Sequence, residues 1–302
     1  RPPRSTPKPS SAASDVYKRQ DDNTALGTNA LGANTTADNN TAVGKNSLVT
    51  NTTGDRNVAV GKDALYSCST HSANVAIGFE AMKLNTANSN TAIGAYAMDA
   101  NTGGGDNSAL GSNALGGNTT GGNNSAFGVS ALYANTTESY NSAFGAGSLA
   151  ANTTGSFMTA VGYEALNDNT TGQYNTACGG RALDVNTTGS YNTAMGVNAL
   201  GANTTADSNT AVGYAALLSN TTGTYNTAVA SQALYNNTTA SYNTAVGYNS
   251  LFNVTTSPYN TAMGYQAGDA ITTGSGHNAC LLYTSDAADE GLGVDLGGRR
   301  II

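Results

Sequence analysis

The chain has 302 residues, a formal net charge of −7, only 10% charged residues, 37 glycines and no tryptophan. An acidic chain without clustered lysine and arginine is unsuited to nucleic acid, because binding depends on neutralising phosphates. So few large apolar side chains exclude an ordinary thick-cored globular domain, and the low charge argues against disorder, so we expect order through repetition.

The first segment in chain order, residues 1–20, lacks the repeated pattern of residues 21–279, and residues 280–302 lack it too. Both segments resemble translated sequencing-adapter DNA. The oligonucleotide AGATGTGTATAAGAGACAG encodes Asp-Val-Tyr-Lys-Arg-Gln, as at residues 15–20, and its reverse complement encodes Cys-Leu-Leu-Tyr-Thr-Ser, as at residues 280–285. We interpret both ends as disordered artefacts of a metagenomic fragment and exclude them from the fold prediction. The alternative is a basic linker before the repeats and an acidic tail after them.

Residues 21–279 are built from a repeat of 17 residues with the consensus N-T-A-V-G-x-x-A-L-x-x-N-T-T-G-x-Y, numbered here as positions 1 to 17. Fifteen units align on the glycine of position 5, although Ala230 replaces that glycine once and one unit is a residue short. Two bulky apolar residues per unit are too few for a helical repeat, whose packing face needs about three in seven. Asparagine, threonine and glycine suit strands and turns instead.

Each unit is predicted to hold two short strands, N-T-A-V-G and x-x-A-L, followed by an N-T-T-G turn in which glycine or asparagine takes a positive φ. One coil per repeat, stacked at about 4.8 Å, gives an all-β fold, a parallel β-solenoid (β-roll) of about fifteen coils. The apolar residues of positions 4 and 9 are the predicted structural core, represented by Val43, Leu48, Ile77, Ile93, Leu132, Val161, Leu166, Leu183, Val212, Leu217 and Val246.

Position 17 changes character along the chain. The earlier units carry residues such as Asn39 and Ser89, whereas the later ones carry an aromatic column of Tyr140, Phe157, Tyr174, Tyr191, Tyr225, Tyr242 and Tyr259. Identical residues one coil apart can stack on one another. The column is predicted to be either a self-stacking surface ladder or a face for recognition.

No constellation of catalytic, cofactor-binding or metal-binding residues stands out in residues 21–279. His71 and His277 each lie alone in turn-like sequence, and Cys178 in the position-4 column is predicted to be a small buried apolar residue. No apolar run approaches the roughly 18 residues needed to cross a bilayer. The sequence therefore predicts neither an enzyme nor membrane insertion of this segment.

The energetics of one thin coil favour association with further copies of the chain. Two buried aliphatic side chains contribute roughly 2 kcal/mol each. Ordering the residues of one coil costs on the order of 25 kcal/mol. Backbone ladders offset part of this cost, and burying one apolar column against two identical chains would offset more.

The repeated run N-[ST]-x-[AVI]-G-x-x-[AS] resembles the head repeats of trimeric autotransporter adhesins, the YadA-like heads. The longer form with N-T-T-G is similar to arrays in phage tail fibres. The resemblance covers essentially all of residues 21–279 and implies a left-handed parallel β-roll assembled as a homotrimer. Typical head repeats are a few residues shorter, which leaves handedness and coil geometry open.

The resemblance implies a non-enzymatic structural and adhesive fibre segment of a bacterial surface adhesin or a phage tail fibre. Such a segment is extracellular, at the bacterial cell surface and outer membrane or on the virion, and attaches to a host receptor, a glycan or extracellular matrix. Tyr140, Tyr174, Tyr191, Tyr225, Tyr242 and Tyr259 are the candidate surface recognition residues. The alternative function is an ice-binding β-solenoid that uses the stacked threonines of position 13. A carbohydrate-degrading tailspike is disfavoured because paired carboxylates do not recur.

Overall fold

The computed structural model describes residues 22–280, and these residues form an all-β parallel β-solenoid with one strand per repeat and no helix. This confirms the predicted fold class. The predictions for residues 1–20 and 281–302 lie outside the described residues, while Cys280, which the sequence assigns to the terminal artefact, ends the last described strand. The chain divides after Thr120 into two compact units, which are described separately.

The first unit contains six strands of three residues each, and neighbouring strands pair in parallel. Their register places each residue opposite the equivalent residue of the next repeat, so Ala42 lies opposite Ala59. The strands are β1 (Thr24–Leu26), β2 (Thr41–Val43), β3 (Val58–Val60), β4 (Val75–Ile77), β5 (Thr91–Ile93) and β6 (Ser108–Leu110).

The second unit contains ten strands in the same parallel arrangement, with Ala177 opposite Ala194, for example. They are β7 (Ser125–Phe127), β8 (Ser142–Phe144), β9 (Thr159–Val161), β10 (Thr176–Cys178), β11 (Thr193–Met195), β12 (Thr210–Val212), β13 (Thr227–Val229), β14 (Thr244–Val246), β15 (Thr261–Met263) and β16 (Asn278–Cys280). The predicted strand N-T-A-V-G is therefore confirmed at its three central residues.

The predicted second strand, x-x-A-L, is wrong, because this segment is a turn in every repeat that the structure describes. In the repeat that contains β3, the amide of Ala64 donates to the carbonyl of Gly61 at 3.4 Å, and Leu65 has a left-handed φ of 49°. A strand would point Ala64 and Leu65 to opposite faces. The turn instead buries both side chains completely.

Within the described repeats, the predicted positive φ in the N-T-T-G turn occurs only at Gly274, with a φ of 101°, and is wrong for the other repeats. Gly172 and Gly189 lie outside the left-handed region, and Ala206 fills the same position, whereas Tyr174 at position 17 has a φ of 56°. The side chain of the turn's asparagine closes the turn, as Asn186 does by donating from Nδ2 to the carbonyl of Gly189 at 2.9 Å. Because a side chain fixes this turn, it needs no glycine in a special conformation.

The interior of each unit is lined by the alanines of positions 3 and 8, the leucine or methionine of position 9, and the asparagines of positions 1 and 12. Among the predicted core residues, those at position 9 are fully buried: Leu48, Leu132, Leu166, Leu183 and Leu217. Buried asparagines are tolerated because their amides are hydrogen-bonded between coils.

The predicted core role of position 4 is wrong within one chain. The strand buries the alanine of position 3, so alternation turns positions 2 and 4 outward. The position-4 residues are half-buried or exposed: Val43, Ile77, Ile93, Val161, Val212 and Val246. Cys178, predicted to be buried in the same column, is exposed.

Candidate functional site

Two columns of buried asparagines fix the spacing of successive coils and thereby position the surface residues. The carbonyl of Gly189 accepts from Asn186 Nδ2 at 2.9 Å and from Nδ2 of Asn175, fourteen residues earlier, at 2.7 Å. Asn186 Nδ2 also donates to Asn169 Oδ1 at 2.8 Å, and the amide of Asn192 donates to Asn175 Oδ1 at 2.8 Å. These satisfied networks hold equivalent residues of neighbouring coils in register.

The first candidate surface is the outward face of the strands. Its apolar residues at position 4, here called the strand-face column, comprise Leu26, Val43, Val60, Ile77, Ile93 and Leu110 in the first unit. In the second unit they are Phe127, Phe144, Val161, Cys178, Met195, Val212, Val229, Val246 and Met263. The rings of Phe127 and Phe144 stack with their centroids 4.9 Å apart. Threonine, serine or valine at position 2 flanks the column, so this face carries no charge at either position.

The second candidate surface is the aromatic column of position 17, here called the aromatic ladder. Its rings lie nearly parallel, with centroids 5.1–5.2 Å apart, which confirms that the column stacks on itself. The ladder consists of two runs, Tyr140–Phe157–Tyr174–Tyr191 and Tyr225–Tyr242–Tyr259, separated by Ser208. The structure thus brings all six predicted recognition tyrosines onto one surface column, in two groups of three.

A cluster of charged and aromatic side chains on the second unit was not predicted from the sequence. Arg181 Nε donates to Glu164 Oε2 at 2.9 Å, and the guanidinium carbon of Arg181 lies 5.9 Å from the centroid of the Tyr163 ring. Hydrogen bonds from Tyr163 and from Arg181 lower the pKa of the Glu164 carboxyl. This ion pair could have been predicted, because Glu164 and Arg181 occupy position 7 of consecutive repeats.

The histidines and cysteines of the described residues do not converge on a site. His71 lies beside Asn88 and Asp106 in a shallow polar depression of the first unit. Cys68 is buried, with Sγ 3.5 Å from the carbonyl oxygen of His71. Within residues 22–280, no three or more histidine, cysteine, aspartate or glutamate side chains are grouped so as to hold a metal ion.

The threonine column of position 13 is occupied with hydrogen bonds between coils. Thr187 Oγ1 donates to the carbonyl of Thr204 at 3.0 Å, and Thr170 Oγ1 donates to the carbonyl of Thr187 at 2.9 Å. The proposed ice-binding residues therefore have a structural partner for their single hydroxyl proton.

No family model matches the chain, and no curated protein or solved structure matches it. In the part of the chain that the structure describes, no helix has the length and apolar character needed to cross a bilayer. The strand-face column and the aromatic ladder are therefore the features from which a function can be inferred.

Proposed function

We propose that this chain is a segment of a non-enzymatic structural fibre that assembles with copies of itself, as a homotrimer, through the strand-face column. The observation that carries the proposal is an apolar side chain pointing out of the same place on every coil. Leu110, Met195 and Met263 are 44%, 46% and 57% exposed in the single chain. A contiguous apolar surface larger than a few hundred Å² usually marks an interaction site.

The chemistry of the strand face suits packing against an identical copy. Positions 2 and 4 carry no charge, so copies can approach without repulsion or the cost of desolvating ions. Because coil spacing is the same in every copy, one favourable contact between position-4 side chains repeats along the interface. A trimer buries three such columns together around one axis.

The proposed assembly is tested by the solution mass of the full chain, measured by light scattering over a dilution series. We expect a trimer, and we expect Val212→Glu together with Val246→Glu to give monomers with an unchanged circular dichroism spectrum. Thr205→Glu is the matched control, because Thr205 is exposed and lies away from the strand face. A monomeric parent chain, or a trimer that survives both glutamates, would contradict this interface.

We propose that the fibre has an adhesive role at the bacterial cell surface and outer membrane or on a phage virion, as the resemblance to YadA-like heads and tail-fibre repeats implies. The aromatic ladder supports this role because tyrosines combine a large apolar ring with a polar tip and are enriched at binding surfaces. Binding of the chain to glycan arrays and immobilised matrix proteins tests the proposal. A Tyr242→Ala, Tyr259→Ala variant that binds as well as the parent would rule out the ladder.

Ice binding is the second candidate function, and the threonines of position 2 suit it better than those of position 13. The threonines of position 2, among them Thr193, Thr210 and Thr227, stand in register beside the strand-face column. A regular threonine and valine face could order water, but an interface between copies would cover the same residues. Thermal hysteresis measured on the monomeric glutamate variant and on the parent separates the two functions, and the absence of hysteresis in both excludes ice binding.

A further inference from the structure

The aromatic ladder is interrupted at one place, Ser208, where a ring is missing between two tyrosines. Tyr191 ends the first run and Tyr225 begins the second, so two coil spacings separate their rings, which amounts to about 10 Å. Ser208 has a φ of 59°, like Tyr191 at 60° and Tyr225 at 57°, so it occupies the same place in its coil. The gap is therefore one ring thick, with a small polar residue at its base.

The rings beside this gap present open faces. Tyr191 and Tyr225 are 61% and 55% exposed, whereas the inner rings Tyr174 and Tyr242 are 44% and 49% exposed. The difference arises because an inner ring is covered on both faces by its neighbours, and a ring beside Ser208 is covered on only one. Two aromatic faces thus look toward the same empty layer.

The residue before Ser208 supplies a carboxylate next to the gap in sequence. Asp207 precedes Ser208, is exposed, and accepts a hydrogen bond at Oδ1 from the amide of Ser190 at 2.6 Å. That bond holds the carboxylate toward the coil that carries Tyr191. Aromatic faces are themselves electron-rich and attract cations within about 6 Å of the ring centroid. A group midway between the two rings would lie at about 5 Å from each.

The chain contains an internal example of the matching ligand. Arg181 places its guanidinium 5.9 Å from the Tyr163 centroid while donating to the Glu164 carboxylate at 2.9 Å. The gap at Ser208 offers the same chemistry, a tyrosine face with a neighbouring carboxylate, and adds a second tyrosine face. The residue between the two rings is Ser208, so this chain places no guanidinium there.

We propose that Tyr191, Asp207, Ser208 and Tyr225, here called the Ser208 slot, bind the guanidinium of an arginine side chain from a partner protein. A guanidinium is flat enough to enter a one-ring layer, is always charged and is weakly hydrated, so it stacks on aromatic faces while it donates to a carboxylate. Charge favours this occupant over a neutral ring or a sugar, since the slot carries a carboxylate and the whole chain is acidic. The slot thus identifies arginine as the group that the aromatic ladder recognises on its partner, and it rests on the proposed adhesive role of the ladder.

The test uses the full chain labelled with carbon-13 in its tyrosine rings and a blocked pentapeptide with one arginine between glycines. The matched peptide carries citrulline, which keeps the planar shape and loses the charge. We expect the arginine peptide to shift the ring signals of Tyr191 and Tyr225, with a dissociation constant at least tenfold below that of the citrulline peptide. Equal binding of the two peptides would show that the slot takes neutral planar groups and would overturn the proposal.

Three variants locate the site. Ser208→Tyr should fill the slot and abolish binding, and it should fold because tyrosine occupies the equivalent position with the same φ in neighbouring coils. Ser89→Tyr is the matched control, since Ser89 also lies at position 17 with a φ of 59° but has no flanking rings, and binding should be unchanged. Asp207→Asn keeps the acceptor for the Ser190 amide and should weaken binding severalfold. Binding that persists in Ser208→Tyr would overturn the proposal.

The same samples separate this inference from the proposed function. If the Tyr242→Ala, Tyr259→Ala variant loses adhesion and the parent chain does not bind the arginine peptide, the adhesive role of the ladder is supported and the Ser208 slot is refuted. Arginine binding by a chain that does not adhere to any surface would refute the adhesive role and leave the slot as a binding site.

Discussion

Glycine at position 5 adopts a backbone conformation that residues with a Cβ rarely take, and Ala230 is the one exception among the fifteen aligned units. Gly196 has a φ of 143°, and a Cβ added to it would lie 2.3 Å from the carbonyl oxygen of Gly213 in the next coil. Ala230 tolerates the position with a φ of 106°. Its backbone is therefore displaced toward a strained region, which costs of order 1–3 kcal/mol.

Ala230→Gly is expected to stabilise the protein by about 1 kcal/mol, because relief of strain exceeds the added entropy of glycine in the unfolded chain. The measurement is the free energy of unfolding in urea. Gly196→Ala is the converse variant and should destabilise the protein by about 2 kcal/mol or more, since its Cβ meets a backbone carbonyl. A loss of stability in Ala230→Gly would show that Ala230 is not strained.

The buried thiol of Cys68 makes the stability of the protein dependent on pH in the alkaline range. Burial raises the pKa of Cys68 from an ordinary value of 9.0 to about 11 and outweighs a backbone hydrogen bond at His71 that lowers it. Above pH 9 the unfolded thiol loses its proton while the folded thiol keeps it, so the unfolded state binds fewer protons. The free energy of unfolding must then fall as the pH rises from about 9 to about 11.

The expected loss from Cys68 approaches about 2–3 kcal/mol at pH 11, at 1.36 kcal/mol per pKa unit. The measurement is the difference in unfolding free energy between the parent chain and Cys68→Ser, taken at pH 8, 9, 10 and 11, because that difference cancels what the two chains share. The parent should lose stability more steeply than the variant. Parallel curves would contradict the raised pKa.

At the scale of the element, the asparagines of position 12 form a run of hydrogen bonds between coils in the second unit. Asn220 donates from Nδ2 to Asn203 Oδ1 at 3.0 Å, and this link recurs along the second unit. Cys68, Val254 and Ile271 replace asparagine in the column. The buried Oδ1 atoms of Asn51 and Asn237, each one coil before such a replacement, have no hydrogen-bond partner, and neither has Oδ1 of Asn34 at the start of the column.

Cys68→Asn should therefore stabilise the protein by about 1 kcal/mol, because its Nδ2 would donate to the unpartnered Oδ1 of Asn51. Unfolding in urea at pH 7 measures the change. Asn186→Cys is the matched opposite, since it removes the donor to Asn169 Oδ1 and should cost about 2 kcal/mol. Equal stability of Cys68→Asn and the parent would mean that a single asparagine hydrogen bond of this column does not add to the free energy of unfolding.

The elements of the repeat differ in how far the sequence predicts them. The strand at T-A-V is predictable because β-branched residues alternate with alanine over a short run. The turn at A-L is not, since leucine disfavours a left-handed φ by roughly 1–2 kcal/mol and its apolar character imitates a strand. Leu166, with a φ of 52°, adopts that conformation because full burial of its side chain offsets the cost.

The two candidate surfaces also differ in how far the sequence predicts them. The aromatic ladder is predictable directly from the column of rings in the sequence. The strand-face column is not, because its bulky side chains at positions such as Val212 suggest a core, and only burial of the neighbouring Ala211 shows that they point outward. The open ring faces beside Ser208 could not be predicted either, since they depend on ring orientation and not on residue type.

At the scale of the whole molecule, the repeat is the unit in which length can change. The short repeat around β4 illustrates the rule, because its missing residue falls in the N-T-T-G turn. There Asn85 Nδ2 still donates to the carbonyl of Ala87 at 2.9 Å, and Asn74 Nδ2 donates to the same carbonyl at 2.9 Å. The turn shortens while both asparagine columns and the strand register persist.

Deleting residues 226–242, one whole repeat within the second unit, is expected to preserve the fold, because Tyr225 then precedes Asn243 and every column continues. Stability in repeat proteins is approximately a sum of nearest-neighbour terms, so the urea midpoint should fall only modestly. Deleting residues 226–233 removes about half a repeat and places apolar residues of one coil against polar residues of the next. That variant should lose the β-sheet circular dichroism signal of the disrupted coils and become sensitive to protease. If both deletions were tolerated equally, stacking of identical positions would not be what holds the coils together.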